Sequence, residues 1–156
     1  MPVIDQKSVP LQTGSSYPEP YNRQMVGRSS KWLGKAAGLT QFGANLVILA
    51  PGAMSSQRHW HLREDEFLVM TKGELVLVED QGETVMRPGD CAAFPAGVPN
   101  GHHLVNRSDA EAQFVVVGSD YPNEVCTYSD IDMMVTGNGD ASHFTHKDGS
   151  PMPKAD

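Results

Sequence analysis

Short apolar runs that end at turn residues recur along the chain from residue 44 onward, and they limit the fold more than any other feature. The run 44–50 stops at Pro51-Gly52, and the run 66–72 stops at Gly73. The other runs cover residues 74–79, 83–87, 91–94, 101–106, 112–118 and 125–135. Because evenly spaced short runs without a helical period are typical of β-sandwiches and jelly-roll barrels, the sequence predicts an all-β fold.

This series of runs divides the chain into three segments. Residues 1–43 are rich in Pro, Gly and Ser, so we expect an irregular N-terminal arm that packs on the barrel or on a partner subunit. Residues 44–136 are expected to form the barrel, and residues 137–156 an irregular C-terminal tail. The total of 156 residues fits a single domain that can bury a substantial core.

The charge and hydropathy of the chain exclude several classes of partner. There are 19 acidic against 12 basic residues, a net charge of −7, and no basic cluster, which disfavours nucleic-acid binding. No window approaches the roughly 18 apolar residues of a membrane span, and the first residues lack the apolar stretch of a secretory signal. We therefore expect a cytoplasmic protein that binds neither nucleic acid nor membrane, with both cysteines reduced and Cys91 buried and inert.

A histidine pair and a glutamate indicate a metal site. His59 and His61 flank Trp60 in an extended segment, so their side chains project to the same side. Glu66 begins the next apolar run and can return an oxygen ligand to the same place. Imidazole and carboxylate ligands suit Zn, Fe, Mn, Ni or Cu, and the ligand set does not choose among these metals.

A second segment, residues 89–106, supplies two further imidazoles. His102 and His103 are adjacent, and alternation along a strand lets only one of them face the barrel interior easily. Either residue could complete the site on this argument.

The two segments together resemble the paired motifs of the cupin superfamily. The first motif is a glycine, HxH, a glutamate and a glycine, and the second is a glycine, PxG and HxxxN. The resemblance implies a metal held by His59, His61, Glu66 and His102, with His103 the alternative to His102. The implied cofactor is one divalent transition metal, such as Zn, Fe, Mn or Ni. The implied fold is the cupin double-stranded β-helix, a jelly-roll barrel.

The phrases HWH, EDEF, FPAG and GHHLVN are also similar to a group of small bacterial cupin-2-type proteins, some of them named as sugar-phosphate isomerases. The cupin resemblance also implies a homodimer. Runs such as FLVM and LVLV agree with this, because both faces of these strands are apolar and a second sheet or subunit would have to cover the outer one. Folds of this kind host many reactions, so the family alone does not fix the chemistry.

Two functions follow from these expectations. The first is a metal-dependent enzyme on a small polar metabolite, with isomerase, lyase or dioxygenase chemistry on a sugar or hydroxy-acid derivative. The second is a non-catalytic barrel that senses or stores a small ligand or metal. Arg63, Asn100 and His103 are the candidate substrate-binding residues near the barrel mouth. No Tyr, Lys or Glu outside the metal set identifies itself as a catalytic proton carrier.

Overall fold

The computed structural model describes residues 3–137 and 142–152. Within these residues the chain forms thirteen strands, a single-turn helix α1 (Leu33–Ala36) and a 3-10 helix (Tyr21–Met25). The strands are β1 (Gln12–Thr13), β2 (Arg28–Lys31), β3 (Phe42–Leu49), β4 (His59–His61), β5 (Glu66–Lys72), β6 (Leu75–Glu79), β7 (Gly82–Met86), β8 (Cys91–Phe94), β9 (His103–Val105), β10 (Ala112–Ser119), β11 (Val125–Tyr128), β12 (Met134–Thr136) and β13 (His143–Thr145). The predicted all-β fold is confirmed.

The strands form three antiparallel sheets. Their orders are β1-β2-β3-β10-β5-β8, β13-β12-β11-β4 and β7-β6-β9. Alternate residues of β5 show how the core is built: Leu68 and Met70 are buried, whereas Phe67 faces outward and is 45% exposed. The inward residues pack into one apolar cluster, which consists of Val47, Leu49, Ala53, Leu68, Met70, Leu75, Leu77, Met86, Phe94, Leu104, Ala112 and Phe114.

The arm and the tail contribute more regular structure than their composition indicates. Strand β2 pairs with β3 and extends the six-stranded sheet, and β13 in the tail pairs with β12. Tyr17 of the arm packs edge-on against Tyr128, with ring centroids 5.4 Å apart, and against Phe144 of the tail at 6.0 Å. The predicted tail also includes residues 138–141 and 153–156, which lie outside the described residues.

Two local predictions are wrong. The run 125–135 is not one strand, because it turns at residues 129–132, where Ser and Asp favour a turn, and continues as β12. Cys91 is exposed rather than buried. It begins β8, which is an edge strand, and it lies opposite Val69 on the outward face of the sheet.

None of the helices among the described residues is long and apolar enough to cross a membrane.

Candidate metal centre and adjoining cavity

The structure brings the four predicted metal ligands together inside the barrel. His59 lies with its ring centroid 5.0 Å from that of His61 and 5.0 Å from that of His102. The Glu66 carboxylate faces both flanking imidazoles: Oε2 lies 3.5 Å from Nε2 of His61, and Oε1 lies 3.7 Å from Nε2 of His102. Ligand atoms of His59, Glu66 and His102 all lie within 4.8 Å of one another. His61 adjoins this group through Glu66, and its ligand atoms also lie within 4.8 Å of those of two other sets, His59 with Cys126 and Glu64 with Glu124.

The backbone explains why His102 rather than His103 belongs to this cluster. His59 and His102 form an antiparallel bridge, in which each amide donates to the other's carbonyl at 3.2 and 2.9 Å. The bridge turns the His102 side chain inward, where it is only 2% exposed. His103 belongs to none of the ligand groups among the described residues, and its Nδ1 lies 2.9 Å from the Ser56 carbonyl oxygen.

Hydrogen bonds to backbone carbonyls set the tautomers of two imidazoles. Nδ1 of His59 lies 2.9 Å from the Gln57 carbonyl oxygen, and Nδ1 of His102 lies 3.3 Å from that of Asn100. A carbonyl can only accept, so each Nδ1 carries the proton and each Nε2 keeps its lone pair. This pattern of an outer hydrogen bond and an inner lone pair is typical of metal-binding histidines.

The inner edge of His102 provides the test of whether a metal fits. Its Nε2 is buried and has no hydrogen-bond partner among the described residues, and the Glu66 oxygen at 3.7 Å is beyond hydrogen-bond distance. An unpaired buried nitrogen is costly unless something else satisfies it. A cation between the nitrogen lone pair and the carboxylate would do so, and the donor set therefore fits a divalent transition metal.

The protonation states of His59 and Glu66 also suit metal binding. Burial lowers the pKa of His59 to about 3, so this imidazole is neutral near pH 7. Burial opposes the charged form of Glu66, but the contacts with His102, His61 and His59 outweigh it and hold the pKa of Glu66 below its usual value. Neutral imidazole and ionised carboxylate are the forms that coordinate a metal.

Two carboxylates surround the outer edge of His61. Its buried Nδ1 lies 3.5 Å from Oε1 of Glu124 and 3.7 Å from Oε2 of Glu64. Burial would lower the pKa of His61, but Glu66, Glu124 and Glu64 together raise it. Glu124 is itself fixed, because its two oxygens accept hydrogen bonds from the Leu62 and Arg63 amides at 2.8 and 2.9 Å. Sequence reasoning missed Glu124, which stands in a loop segment with no recognisable motif.

Phe94 holds the His102 ring from the other side. The two rings are stacked, with centroids 3.5 Å apart and planes 4° from parallel. Phe94 ends β8 and lies opposite Glu66 in the sheet, so the register of β5 and β8 places this support beside the cluster.

A cavity of about 1220 Å³ adjoins the cluster. His59, Glu66 and His102 form part of its wall. The arm and the tail line the remainder together with barrel residues, and the polar side chains among these are Gln12, Thr13, Ser15, Ser16, Tyr17, Arg28, Ser30, Ser55, Ser56, His103, Tyr128, Ser142, His143 and Thr145. The cavity is large enough for a compact organic molecule.

The three predicted substrate-binding residues are placed differently. His103 lines the large cavity. Asn100 lines a separate cavity of about 30 Å³, and its side-chain amide is engaged by Glu79 and by the Asp80 backbone. Arg63 is exposed and does not line either of these cavities.

Comparison with known proteins decides the family. The Cupin_2 family model, a cupin domain, matches residues 45–118. A crystal structure from Silicibacter pomeroyi DSS-3, named as a sugar phosphate isomerase from a cupin superfamily, is 57% identical, covers 97% of both chains and superposes with a TM-score of 0.94. The chain belongs to the cupin superfamily. A search of curated proteins finds no match to this cupin.

More distant structures share the cupin's fold. A proposed sugar phosphate isomerase from Acidithiobacillus ferrooxidans ATCC 23270 is 23% identical, with a TM-score of 0.76 over 91% of this chain and 90% of that chain. A polyketide cyclase from Streptomyces resistomycificus is 21% identical, with a TM-score of 0.62 over 76% of this chain and 79% of that chain. At these identities the likeness concerns the fold alone.

Proposed function

We propose that this cupin is a metal-dependent enzyme that acts on a small polar metabolite, with isomerisation of a sugar derivative as the favoured reaction. His59, His61, Glu66 and His102 would hold one divalent metal such as Zn, Fe, Mn or Ni. The unpaired, buried Nε2 of His102, facing a carboxylate oxygen at 3.7 Å, is the observation that carries the proposal. The relative from Silicibacter pomeroyi, itself named as a sugar phosphate isomerase, favours isomerase over lyase or dioxygenase chemistry.

The metal, when bound, would supply a Lewis acid that polarises a substrate carbonyl and orients two adjacent oxygens. Its position in the cavity wall limits the substrate to a molecule that fits about 1220 Å³. Isomerisation of a hydroxycarbonyl compound also requires groups that take a proton from carbon and give one to oxygen.

Two cavity residues can supply these proton-transfer groups. His103 donates from Nδ1 to the Ser56 carbonyl, so its Nε2 keeps a lone pair that can accept a proton. Burial raises the pKa of Tyr17 to about 12, so its phenol keeps the proton and can donate to a substrate oxygen. Tyr17 belongs to the arm, and the packing of Tyr17 against Tyr128 of β11 puts it in the wall of the cavity.

The test of this function combines metal analysis with an exchange assay. Protein loaded with each of Zn, Fe, Mn and Ni would be incubated in D₂O with a panel of aldoses, ketoses and their phosphate esters, and deuterium incorporation at carbon followed by NMR. We expect exchange and product only with metal present, and little of either in His103→Gln and Tyr17→Phe. Metal-loaded protein that binds members of the panel without exchange would contradict the enzyme proposal and favour the sensing barrel.

We also propose a homodimer formed through the outward face of the six-stranded sheet. Phe67 on β5 is 45% exposed there, and Val117 of β10 lies beside it in the sheet. Covering this apolar face with a second copy would remove it from water. Light scattering coupled to size-exclusion chromatography should give a molar mass of twice the 16.9 kDa chain mass. The Phe67→Glu substitution should lower this molar mass toward that of one chain.

A further inference from the structure

Strand β2, which contains none of the proposed metal ligands, has two polar side chains in the wall of the cavity. Arg28 and Ser30 are two residues apart on an extended strand, so they share one face, and both line the cavity. Their partners across the sheet are Leu49 and Val47, which belong to the apolar core. An arginine and a serine on the inward face of this strand call for a reason, because the residues opposite them on β3 are apolar.

Arg28 and Arg63 are the two arginines without an ion pair among residues 3–137 and 142–152, and of these two only Arg28 lines the cavity. Arg58 pairs with Asp80 and Asp130, and the other paired arginines are Arg23 with Glu19, Arg87 with Glu74, and Arg107 with Glu83. Arg28 instead donates from Nε to the Ser55 carbonyl oxygen at 2.6 Å. That bond uses one of the five guanidinium donors and fixes the direction of the group.

The two side chains therefore present an uncompensated positive charge and an unsatisfied hydroxyl. Ser30 is 2% exposed, and its Oγ has no hydrogen-bond partner within the part of the chain that the structure describes. A partly buried cation without a counterion is unfavourable, and an anion in the cavity would offset that cost. A guanidinium fork with a hydroxyl beside it is a suitable donor set for the oxygens of a phosphate or carboxylate.

We propose that Arg28 and Ser30 form an oxyanion subsite that binds the negatively charged end of the substrate, a phosphate monoester, while the metal ligands hold its reacting end. This inference rests on the proposed function, because it assigns a substrate class to the same cavity. It adds to the sequence prediction, which named Arg63, Asn100 and His103 as the candidate substrate-binding residues. A carboxylate would present similar oxygens, and the experiment separates the two ions.

The experiment measures anion binding by the metal-loaded protein and does not depend on turnover. Inorganic phosphate and acetate would be titrated by calorimetry into wild type, Arg28→Gln, Arg28→Lys, Ser30→Ala and the surface control Arg107→Gln, with metal content determined for each. We expect wild type and Arg107→Gln to bind phosphate alike, Arg28→Gln to lose about tenfold or more in affinity, and Arg28→Lys to recover part of the loss. Ser30→Ala should bind more weakly while keeping or raising the melting temperature, because the substitution removes an unpaired buried hydroxyl.

The possible outcomes separate this proposal from the metal proposal. Phosphate binding that is unchanged in both Arg28→Gln and Ser30→Ala would overturn the subsite even if the metal site is intact. Acetate binding that depends on Arg28, with no phosphate binding, would overturn the phosphate assignment and make the ligand a carboxylate. If the protein retains no metal after loading but still binds phosphate through Arg28, the result would support the subsite and contradict only the metal proposal. If Arg28→Gln fails to fold, the phosphate affinity of Ser30→Ala decides whether the subsite exists.

Discussion

The Nδ1 atom of His61 lies 3.5 Å from the Oε1 atom of Glu124, on the opposite edge of the ring from Glu66. Glu124 is 4% exposed and is fixed by two backbone amides. The buried Nδ1 of His61 has no hydrogen-bond partner among the described residues, so Glu124 acts on this imidazole through its charge, which raises the pKa of His61. A carboxylate behind a metal-binding histidine raises the basicity of the ring.

Glu124→Gln should therefore weaken metal binding by about 10- to 100-fold, because the amide cannot replace the carboxylate behind His61. Competition with a chromophoric chelator measures the affinity. Glu111→Gln is the control, since Glu111 is an exposed carboxylate paired with Lys72. An affinity equal to that of wild type, in a folded variant, would mean that Glu124 serves only the backbone of the loop that it anchors.

His61→Ala should abolish metal binding, because it removes the imidazole whose Nε2 lies 3.5 Å from the Glu66 carboxylate. Elemental analysis should find close to one metal per chain in wild type and almost none in the variant. His146→Ala removes an imidazole that is hydrogen-bonded to Asp132 and does not line the cavity, and it serves as the control. Metal-free wild-type protein after reconstitution would contradict the central proposal.

Removal of the metal from wild type should lower the melting temperature without unfolding the chain, because the twelve-residue apolar core does not include the ligands. A metal present at 1,000 times its dissociation constant stabilises the native state by about 4 kcal/mol. Thermal unfolding with and without a chelator measures the loss. Complete unfolding on chelation would show that the metal is required for folding.

Gly101→Ala should disturb the metal centre through the backbone of His102. A Cβ at Gly101 would collide with the Ser129 side chain, whose Cβ would lie 2.8 Å away. Overpacking of this kind costs about 1–3 kcal/mol. We expect lower stability and weaker metal binding, both partly restored by Ser129→Gly. Gly43→Ala is the control, because its nearest neighbour would be 3.8 Å away.

Asn106→Ala should destabilise the fold while leaving the metal stoichiometry unchanged. Asn106 is fully buried, and its amide donates to the carbonyl oxygens of Leu49 and Ala110 at 2.8 Å. Loss of the amide removes the buried bond to the Leu49 carbonyl oxygen, at a cost of about 1–3 kcal/mol. Urea unfolding measures the change, with the exposed Asn123→Ala as control. Loss of metal without loss of stability would assign Asn106 to the site instead.

The two cysteines should react at very different rates. Cys91 is exposed, whereas Cys126 is 4% exposed and burial raises the pKa of its thiol. A thiol reagent should therefore label Cys91 rapidly in the Phe67→Glu variant, in which the proposed dimer face is free, and Cys126 only after denaturation. Mass spectrometry of the labelled peptides identifies each site, and rapid labelling of Cys126 would indicate that β11 opens readily.

The sequence by itself determined the barrel strands and three of the four proposed ligands. Alternation of side chains along a strand is a local property, so the apolar runs located β3 to β8 and β10, and the HxH spacing aligned His59 with His61. Glu66 followed from its position at the start of the next run. These features depend on residues close together in the chain, which is why they can be read without the fold.

Tertiary structure decided the remaining features of the site, because these features depend on pairing between distant segments of the chain. The bridge between His59 and His102, 43 positions apart, chose His102 over its neighbour. Glu124 approaches His61 only because a loop after β10 folds back over β4. Arg28 and Ser30 stand in a polar strand without apolar alternation, and only its pairing with β3 turns them into the cavity. The cost of leaving such polar groups buried and unpaired, visible only in the fold, is the physical reason for proposing a metal and an anion as ligands.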